Sequence, residues 1–551
     1  MRTRLEPDLA TAGSNLTKVV DRKLSSYLCL GLLVLVIVLF AGIRYRLRTM
    51  PLERDEGEYA YAGQLILQGI PPYQLAYNMK LPGTYAAYAA ILAVFGQTPS
   101  GIHLGLILVS AATTLLVFFL GERLFGTLAG TVAAVSYALL STGPWVLGLS
   151  AQATHFVVLP ALAGILLLLE AIELKSAWRF FWSGVLLGLA FLMKQPGIVF
   201  ALFAGVYLLK TKLTRPIDWR SLFSSLGALA LGGALPFSIT CLLLLRAGLF
   251  QKFWFWTFTY ARLYASEVSR ANAIALFRIA VESSIQPVWL MWTIAGVGLT
   301  TFLWCARARA HVFFVISLLL ASIVGVSAGF YFRQHYFILM LPALSLLAGM
   351  AVSCATEKLW AWRIPRVAAA VPMLLFLVVF GYTIFQQREL FFEMDPIAAC
   401  RSLYFGNPFP EAVDVARFIK LHTSPDARIA VVGSEPEIYF YSHRHSATGY
   451  IYTYGLMEEQ EYAAKMQKEM IAEIESARPE YLVYVDLRTS WLPKPGADWY
   501  IFAWFKTYVR DNYTLAAVDR DVRSGAYLPE VAYAGNPLTT LNIYVYKRKA
   551  P

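Results

Sequence analysis

Long apolar blocks, separated by short polar segments, occupy most of the chain between residues 24 and 385. A helix needs about 20 apolar residues to cross the hydrocarbon core of a bilayer, because each residue adds about 1.5 Å of length. The pattern therefore predicts about eleven transmembrane helices. The predicted spans are residues 24–43, 101–121, 124–142, 145–171, 179–194, 196–209, 222–245, 288–305, 312–329, 336–355 and 367–385.

Basic residues between the apolar blocks predict the side of the membrane on which each loop lies. If residues 1–23 form a cytoplasmic tail, every inside loop contains Lys or Arg, as the positive-inside rule expects. The outer side then receives a first external loop, residues 44–100, and an aromatic-rich loop, residues 246–287. The aromatic side chains of the second loop either suit the headgroup layer or line a groove for a lipid. The first block ends without a small-residue cleavage site, so we expect an uncleaved span and a transmembrane domain over residues 24–385.

The last part of the chain has a different composition. From Glu411 onward, charged runs at helical spacing alternate with short segments rich in β-branched and aromatic residues. This mixture predicts a small soluble α/β domain over residues 386–551, on the same side of the membrane as the first external loop. The predicted elements are helices at residues 411–422 and 458–477 and strands at residues 428–433, 481–486 and 541–546.

Composition and charge narrow the class of protein. Of the 551 residues, 58% are hydrophobic and only 15% are charged, whereas soluble domains carry about 25% charged residues. Many of the basic residues behind the net charge of +12 lie in the predicted loops. The charge therefore indicates membrane orientation and contact with membrane lipids, and we expect no nucleic-acid partner. The five cysteines lie mostly within apolar blocks, and we expect no disulfide framework among them.

The segment after the first span carries the main candidate for chemistry. Residues 54–63 read RDEGEYAYAG, which places Asp55 and Glu56 at the start of a predicted helix over residues 57–68. Two interpretations stand: acidic side chains cap a helix N-terminus and complement its dipole, or a carboxylate here takes part in catalysis. Lys80 also has two interpretations, because a lysine at a membrane surface either extends to the headgroups or neutralises a phosphate.

Several short motifs follow the acidic pair in an order that makes the chain resemble one family. They are residues 69–73 (GIPPY), 80–83 (KLPG), 95–96 (FG), 101–105 (GIHLG), 121–126 (GERLFG), 188–195 (GLAFLMKQ), 334–336 (QHY) and 341–344 (LPAL). Over residues 45–355, these motifs and the predicted topology resemble the family 39-type membrane glycosyltransferases, which include the protein O-mannosyltransferases and the lipid A aminoarabinose transferase. The resemblance implies a GT-C-like polytopic α-helical membrane protein with a C-terminal extracytoplasmic α/β domain.

The resemblance also implies a reaction and roles for particular residues. The donor would be a polyprenyl-phosphate sugar, and a hexosyl or pentosyl group would be transferred with inversion to a glycolipid, a polysaccharide or a protein. Asp55 matches the family's acidic residue that acts as general base or positions the acceptor, with Glu56 beside it. The expected location is a plasma membrane, a bacterial inner membrane by likeness to the family. The residues expected to hold the lipid phosphate are Lys80, Lys194, Arg333 and His335.

The chain departs from the family in the fourth predicted span. Many relatives carry a second acid there, in a stretch like Ala-Asn-x-Glu-x-Phe, whereas residues 151–156 read AQATHF. His155 stands where the carboxylate is expected, and Gln152 lies beside it in the same stretch. Three interpretations of His155 stand: a metal ligand, a donor to phosphate, or a histidine packed among helices. The need for a metal, a divalent cation included, therefore stays open.

Other sequence features give weaker alternatives. His443 and His445, near Glu435 and Glu437, have a spacing that puts both rings on one face of a strand, but no third metal ligand follows at a diagnostic spacing. The chain has no P-loop, which disfavours a nucleotide-driven pump. A lipid-linked-sugar flippase or transporter remains an alternative, although transporters usually place polar residues at mid-membrane and contain repeated halves. A non-catalytic assembly subunit is the third alternative, which the histidine at position 155 favours.

Overall fold

The structure is a computed structural model, in which residues 27–213, 217–361, 366–518 and 543–550 are described. The predicted cytoplasmic tail, residues 1–23, lies outside these ranges. Within them, six helices are long and apolar enough to cross a membrane, and four shorter apolar helices accompany them. The first span is α1, Tyr27–Arg46.

A bundle of helices follows α1, and every predicted span overlaps one of them. The long helices among them are apolar over most of their length, as helices that cross lipid require. The helices of this part are α2 Arg54–Leu67, α3 Gly83–Phe95, α4 Pro99–Phe125, α5 Thr127–Leu140, α6 Ala153–Leu174, α7 Ala177–Met193, α8 Ile198–Lys212, α9 Trp219–Arg246, α10 Phe250–Trp254, α11 Ala261–Ser266, α12 Arg270–Ala280, α13 Trp289–Trp304, α14 Ala306–Ala310, α15 Val312–Ser327, α16 Leu341–Ala361, α17 Arg366–Ala369 and α18 Val371–Gln386.

Two predictions about the helices need correction. The span predicted to begin at residue 145 begins at Ala153, because a 3₁₀ turn at Pro144–Val146 and a left-handed Leu147 interrupt the chain before it. The external loop 246–287 is largely helical, and α12 continues through a π-helical turn, Val281–Ile285, toward α13. The sequence pattern did not predict these helices, because charged and aromatic residues alternate in residues 246–287 without a long apolar block.

Glycines allow the closest helix contacts in the bundle. α7 lies against α6 and α9, and a Cβ atom on Gly184 or Gly188 would collide with the backbone of α9. The same is true of Gly232, whose Cβ would collide with the Phe181 carbonyl of α7. Small residues four apart permit such contacts between membrane helices, where backbones approach within van der Waals distance.

Two cysteines of the bundle are paired, contrary to expectation. Cys305, at the end of α13, forms a disulfide with Cys354 of α16, with 6.2 Å between their Cα atoms. They are 49 positions apart in the sequence. Only the packing of the two helices brings them together, and the sequence carries no signal for that contact.

The C-terminal part contains a five-stranded sheet in the order β2-β1-β3-β5-β4. β1 is parallel to β2 and β3, whereas β5 is antiparallel to β3 and β4. This confirms the predicted α/β character. Its elements are α19 Pro396–Leu403, α20 Phe409–His422, β1 Arg428–Val432, α21 Glu437–Ser442, β2 His445–Ser446, α22 Ala463–Ala477, β3 Tyr481–Val485, α23 Arg488–Trp491, α24 Tyr500–Asn512, β4 Tyr513–Val518 and β5 Ile543–Arg548.

The first external loop packs into this C-terminal part. Alternate residues of β1 point to opposite faces of the sheet: Ile429 and Val431 share a core with α2 and α20, and Ala430 lies in a second core with α22. The rings of Tyr61 and Tyr439 are 5.1 Å apart in the first core. The first external loop and the C-terminal part, which lie on opposite sides of the boundary predicted at residue 386, therefore share one buried core.

Candidate functional site

The first turn of α2 is held by a capping box. The Glu53 side chain accepts a hydrogen bond from the Glu56 backbone N–H at 3.0 Å, and the Glu56 side chain accepts one from the Glu53 N–H at 3.3 Å. This arrangement satisfies backbone donors that a helix N-terminus leaves unpaired. Asp55, between the two capping residues, is left to face a cavity.

Asp55 forms a cluster of charges with Lys80 and Glu58. The Lys80 ammonium donates to Asp55 Oδ1 and to Glu58 Oε2, each at 2.7 Å. Tyr452, from the C-terminal part, donates its hydroxyl to Asp55 at 3.2 Å. Asp55 and Lys80 keep side-chain exposures of 18% and 17%, whereas Glu58 is fully buried. The first two groups can therefore meet a ligand, and Glu58 holds Lys80 from behind.

The charges of this cluster shift its proton affinities. Burial alone would raise the pKa of Asp55, but the Lys80 ammonium outweighs it and holds that pKa well below its usual range. Burial would lower the pKa of Lys80, but Asp55 and Glu58 raise it well above the ordinary lysine value. Asp55 is thus a carboxylate and Lys80 an ammonium at neutral pH.

A cavity of about 840 Å³ brings all four predicted phosphate-binding residues together with Asp55. Lys194 lies at the end of α7, with its ammonium 4.1 Å from the centre of the Tyr336 ring. One side of the cavity is apolar and lies among the membrane helices, while the aromatic segment of residues 256–264 forms another wall. The predicted site residues that line it are Asp55, Lys80, Lys194, Arg333 and His335.

Glu56, Gln152 and His155 are not among the residues that line this cavity. Glu56 is fully buried and accepts hydrogen bonds from the Ala151 N–H at 2.6 Å and from His103 at 3.1 Å. Gln152 donates to Glu53 at 2.9 Å. The structure thus turns Glu56 and Gln152 inward, because the capping box and the adjacent backbone need their polar atoms.

His155 occupies the interior of the bundle near the start of α6. It is 1% exposed, and its Nε2 atom has no hydrogen-bond partner within the described part of the chain. Among the described residues, no group of three or more His, Cys, Asp or Glu side chains is arranged to hold a metal ion. His155 therefore lies inside the bundle and outside the cavity that Asp55 lines.

The two histidines of the C-terminal part also differ from expectation. His443 ends α21 in the left-handed conformation and contacts Gln64 at 2.7 Å, whereas His445 lies on β2 and contacts Gln68 at 2.7 Å. They do not share a strand, because the helix ends between Ser442 and His445. His443 thus connects the C-terminal part to α2, and His445 connects it to Gln68, the residue that follows α2.

Sequence reasoning missed several residues that shape the site. Glu58 lies three positions after Asp55, on the same helix face, so its spacing is a signal that could have been read. It also accepts hydrogen bonds from Asn78 at 2.7 Å and Tyr85 at 2.5 Å. Tyr452 is 397 positions from Asp55, and no local pattern indicates such a contact.

Comparison with known proteins places this geometry in a recognised fold. Residues 80–240 match the sequence profile of the family described as dolichyl-phosphate-mannose-protein mannosyltransferase. ArnT from Cupriavidus metallidurans bound to undecaprenyl phosphate superposes with a TM-score of 0.60 at 15% identity, covering 94% of this chain and 97% of that one. The chain has the GT-C fold. The predicted resemblance to the protein mannosyltransferase and aminoarabinose transferase group is thereby confirmed.

Two further structures support the GT-C assignment. ArnT from the same organism in the apo state gives a TM-score of 0.55 at 15% identity, with 94% of this chain and 97% of that chain covered. The archaeal oligosaccharyltransferase AglB from Archaeoglobus fulgidus, in complex with an inhibitory peptide and a dolichol-phosphate, gives 0.50 at 13% identity, over 84% and 70% of the two chains. No curated protein sequence gives a significant match. The protein is a multi-pass membrane protein with a C-terminal α/β part.

Proposed function

We propose that this protein is an inverting glycosyltransferase that moves a sugar from a polyprenyl-phosphate carrier to an acceptor at the outer face of a plasma membrane. The observation that carries the proposal is one cavity with an apolar side among the membrane helices and a charged end that holds Asp55 and Lys80. A lipid phosphate needs an apolar surface for its prenyl chain and a charged surface for its phosphate. The structural relatives support it, since one was solved with undecaprenyl phosphate and another with a dolichol-phosphate.

The cationic side chains would hold the donor's phosphate. Lys80, Lys194 and Arg333 line the same cavity, and ammonium and guanidinium groups form the strong, charge-assisted hydrogen bonds that phosphate oxygens accept. Stabilisation of the leaving phosphate lowers the barrier, because its negative charge grows as the bond to the sugar breaks. The prenyl chain would lie along the apolar side.

Asp55 would receive the proton of the acceptor. The acceptor hydroxyl attacks the anomeric carbon opposite the phosphate, the carbon–oxygen bond to phosphate breaks, and its electron pair leaves with the phosphate. The hydroxyl proton passes to Asp55, and the configuration inverts. A carboxylate paired with Lys80 is a weak base, but a phosphate that engages Lys80 weakens that pair and raises the proton affinity of Asp55. Donor binding would thus activate the base.

The test uses purified protein in liposomes with a radiolabelled polyprenyl-phosphate sugar and envelope glycolipid, polysaccharide and protein acceptors. We expect Asp55→Asn to lower turnover by about 100-fold or more, as loss of a general base commonly does. Lys80→Ala should weaken donor binding as well as turnover. Lys506→Ala, at an exposed position of α24, is the control and should leave both unchanged.

Each alternative function predicts a different result in the same assay. Full turnover by the Asp55→Asn variant would contradict the assigned role. Movement of the lipid-linked sugar across the bilayer without a glycosidic product would indicate a flippase. Donor binding with neither transfer nor translocation would indicate a non-catalytic subunit.

A further inference from the structure

A second, smaller cavity adjoins the first between the membrane part and the C-terminal part. Its volume is about 260 Å³. It is bounded by the loop after α11, by the segment that follows α15, and by the C-terminal residues around α23. The residues that line both cavities are Tyr264, Tyr331, Arg333, Tyr454 and Glu458.

Tyrosines connect the smaller cavity to Asp55. Tyr454 accepts a hydrogen bond from Arg54 at 2.8 Å and donates one to the Thr489 carbonyl at 2.8 Å, so its position is fixed on both sides. Its ring meets that of Tyr452 edge to face, with centres 4.8 Å apart. Tyr452 in turn donates to Asp55. A ligand in the smaller cavity would therefore be separated from Asp55 by one pair of tyrosines.

The smaller cavity combines apolar side chains, Leu492 and Pro493, with aromatic and charged groups that can contact a sugar. The rings of Tyr264 and Tyr331 stack at 4.5 Å with an angle of 10° between their planes. Glu267 Oε1 is buried and has no hydrogen-bond partner within the described ranges. A buried carboxylate oxygen without a donor is costly, and a ligand hydroxyl would supply that donor. Flat aromatic rings next to carboxylates are suited to contact a sugar ring from its face and its edge.

Positive charge exceeds negative charge around this cavity. Arg333, Arg488 and Lys494 line it together with two acids, Glu267 and Glu458. Burial, and then the neighbouring Glu267, raise the pKa of Glu458 to about 7, so this carboxyl is partly neutral at physiological pH. The remaining excess of cations favours a ligand that carries a carboxylate or a phosphate.

We propose that the smaller cavity binds the acceptor and that the acceptor is an anionic saccharide rather than a peptide. This rests on the proposed transferase function and specifies its acceptor. The donor would enter from the membrane through the apolar side of the larger cavity, and the saccharide would enter from the aqueous side between α11 and α23. The saccharide would extend from the smaller cavity past the tyrosine pair into the larger one, so that its reacting hydroxyl meets the donor beside Asp55.

The test measures binding to the full-length protein in detergent by calorimetry. The probes are tetragalacturonate and trehalose 6-phosphate as anionic saccharides, maltotetraose as a neutral one, and tetraglutamate as an anionic peptide. We expect at least one anionic saccharide to bind more tightly than maltotetraose and tetraglutamate. The double variant Arg488→Gln, Lys494→Gln should weaken that binding about tenfold, because two charged contacts are lost. Lys506→Gln, exposed on α24, should bind as the unchanged protein does.

Three results would overturn the inference: binding of neither anionic saccharide, equal or tighter binding of tetraglutamate, or unchanged binding by the double variant. Undecaprenyl phosphate is titrated in parallel. If it binds the unchanged protein and the double variant equally, both are folded, and a negative saccharide result refutes the acceptor assignment alone. If it fails to bind the unchanged protein, the transferase proposal itself fails. A second variant, Leu492→Trp, fills the cavity without changing charge and should also abolish saccharide binding.

Discussion

The pKa values of the carboxyl groups around the two cavities shift in opposite directions, although all of these groups are largely enclosed by protein. Asp55 lies 2.7 Å from the Lys80 ammonium, which lowers its pKa against the effect of burial. Burial dominates for Glu58, whose pKa is raised even though Lys80 and the Tyr85 hydroxyl oppose it. The two neighbouring acids therefore differ: Lys80 lowers the pKa of Asp55 against the effect of burial, whereas burial raises the pKa of Glu58 in spite of Lys80.

The raised pKa of Glu458 has a measurable consequence. Glu458 is 6% exposed, and its pKa rises from 4.5 to about 7 on folding. A carboxyl that binds its proton more tightly when folded stabilises the protein below pH 4.5, and this contribution disappears as the pH rises through 7. The shift corresponds to about 3 kcal/mol. We therefore expect Glu458→Gln to raise the melting temperature relative to the unchanged protein at pH 8, and less so at pH 5.

Melting curves of both proteins at pH 5, 6, 7 and 8 would check this. Lys494 and Arg333 oppose the shift, and Glu267 reinforces it, so Glu267→Gln should move the same transition to lower pH. A difference in melting temperature between the Glu458→Gln and unchanged proteins that does not vary with pH would contradict the assignment.

Helices α7 and α9 are in close contact within the bundle. Gly184 and Gly188 on α7 face Gly232 and Gly233 on α9, and the backbones approach where side chains are absent. Lipid supplies no hydrophobic driving force between helices, so such contacts depend on shape. α7 ends at Met193, directly before Lys194. The glycine contact therefore helps to position one of the cations of the larger cavity.

Replacement of one glycine should test this contact. A Cβ on Gly232 would collide with the Phe181 carbonyl, so Gly232→Ala should destabilise the protein by about 1–3 kcal/mol, as overpacking does. Gly227, on the same helix, has nothing within 4 Å of its Cβ position. Gly227→Ala should be neutral or slightly stabilising, because alanine favours a helix by about 1 kcal/mol over glycine. Thermal unfolding in detergent measures both, and equal effects would refute the packing argument.

At the scale of the whole molecule, the first external loop joins the membrane helices to the C-terminal part. Arg54 is buried, with its guanidinium 2.9 Å from the fully buried Glu435. It also donates to the Ser434 carbonyl and to Tyr454. Because Arg54 precedes Asp55, this one side chain fixes the candidate base to the domain that would bind the acceptor.

A double-mutant cycle on this ion pair should show strong coupling. Arg54→Gln leaves a carboxylate buried without its charged partner, which costs about 3–5 kcal/mol. The double variant Arg54→Gln, Glu435→Gln should lose less than the sum of the single changes. Arg510 and Asp511 form an exposed pair, and Arg510→Gln should change stability by less than about 1 kcal/mol. Additive effects at Arg54 and Glu435 would show that the pair does not join the two parts.

The membrane helices were the most predictable feature, because a long apolar block leaves the backbone no other way to cross lipid. Each predicted span overlaps a helix, even where Pro144 delays the start of α6. Asp55 and Lys80, 25 positions apart, were singled out from motifs within one loop. Tyr452 and Arg488 were not, since they reach the site only through tertiary packing of segments far apart in the sequence. The sequence makes Glu56 a catalytic candidate beside Asp55, because sequence alone does not tell a capping carboxylate from a free one.

The shared core of α2 and the C-terminal part has a consequence for biosynthesis. Ribosomes make α2 early, but Tyr61 finds its partner Tyr439 only after nearly four hundred further residues have been added and the intervening helices inserted. Until then, the loop that carries Asp55 lacks the surface that holds it. Nascent or truncated chains should accordingly be unable to turn over the donor, so that no partial enzyme consumes lipid-linked sugar during assembly.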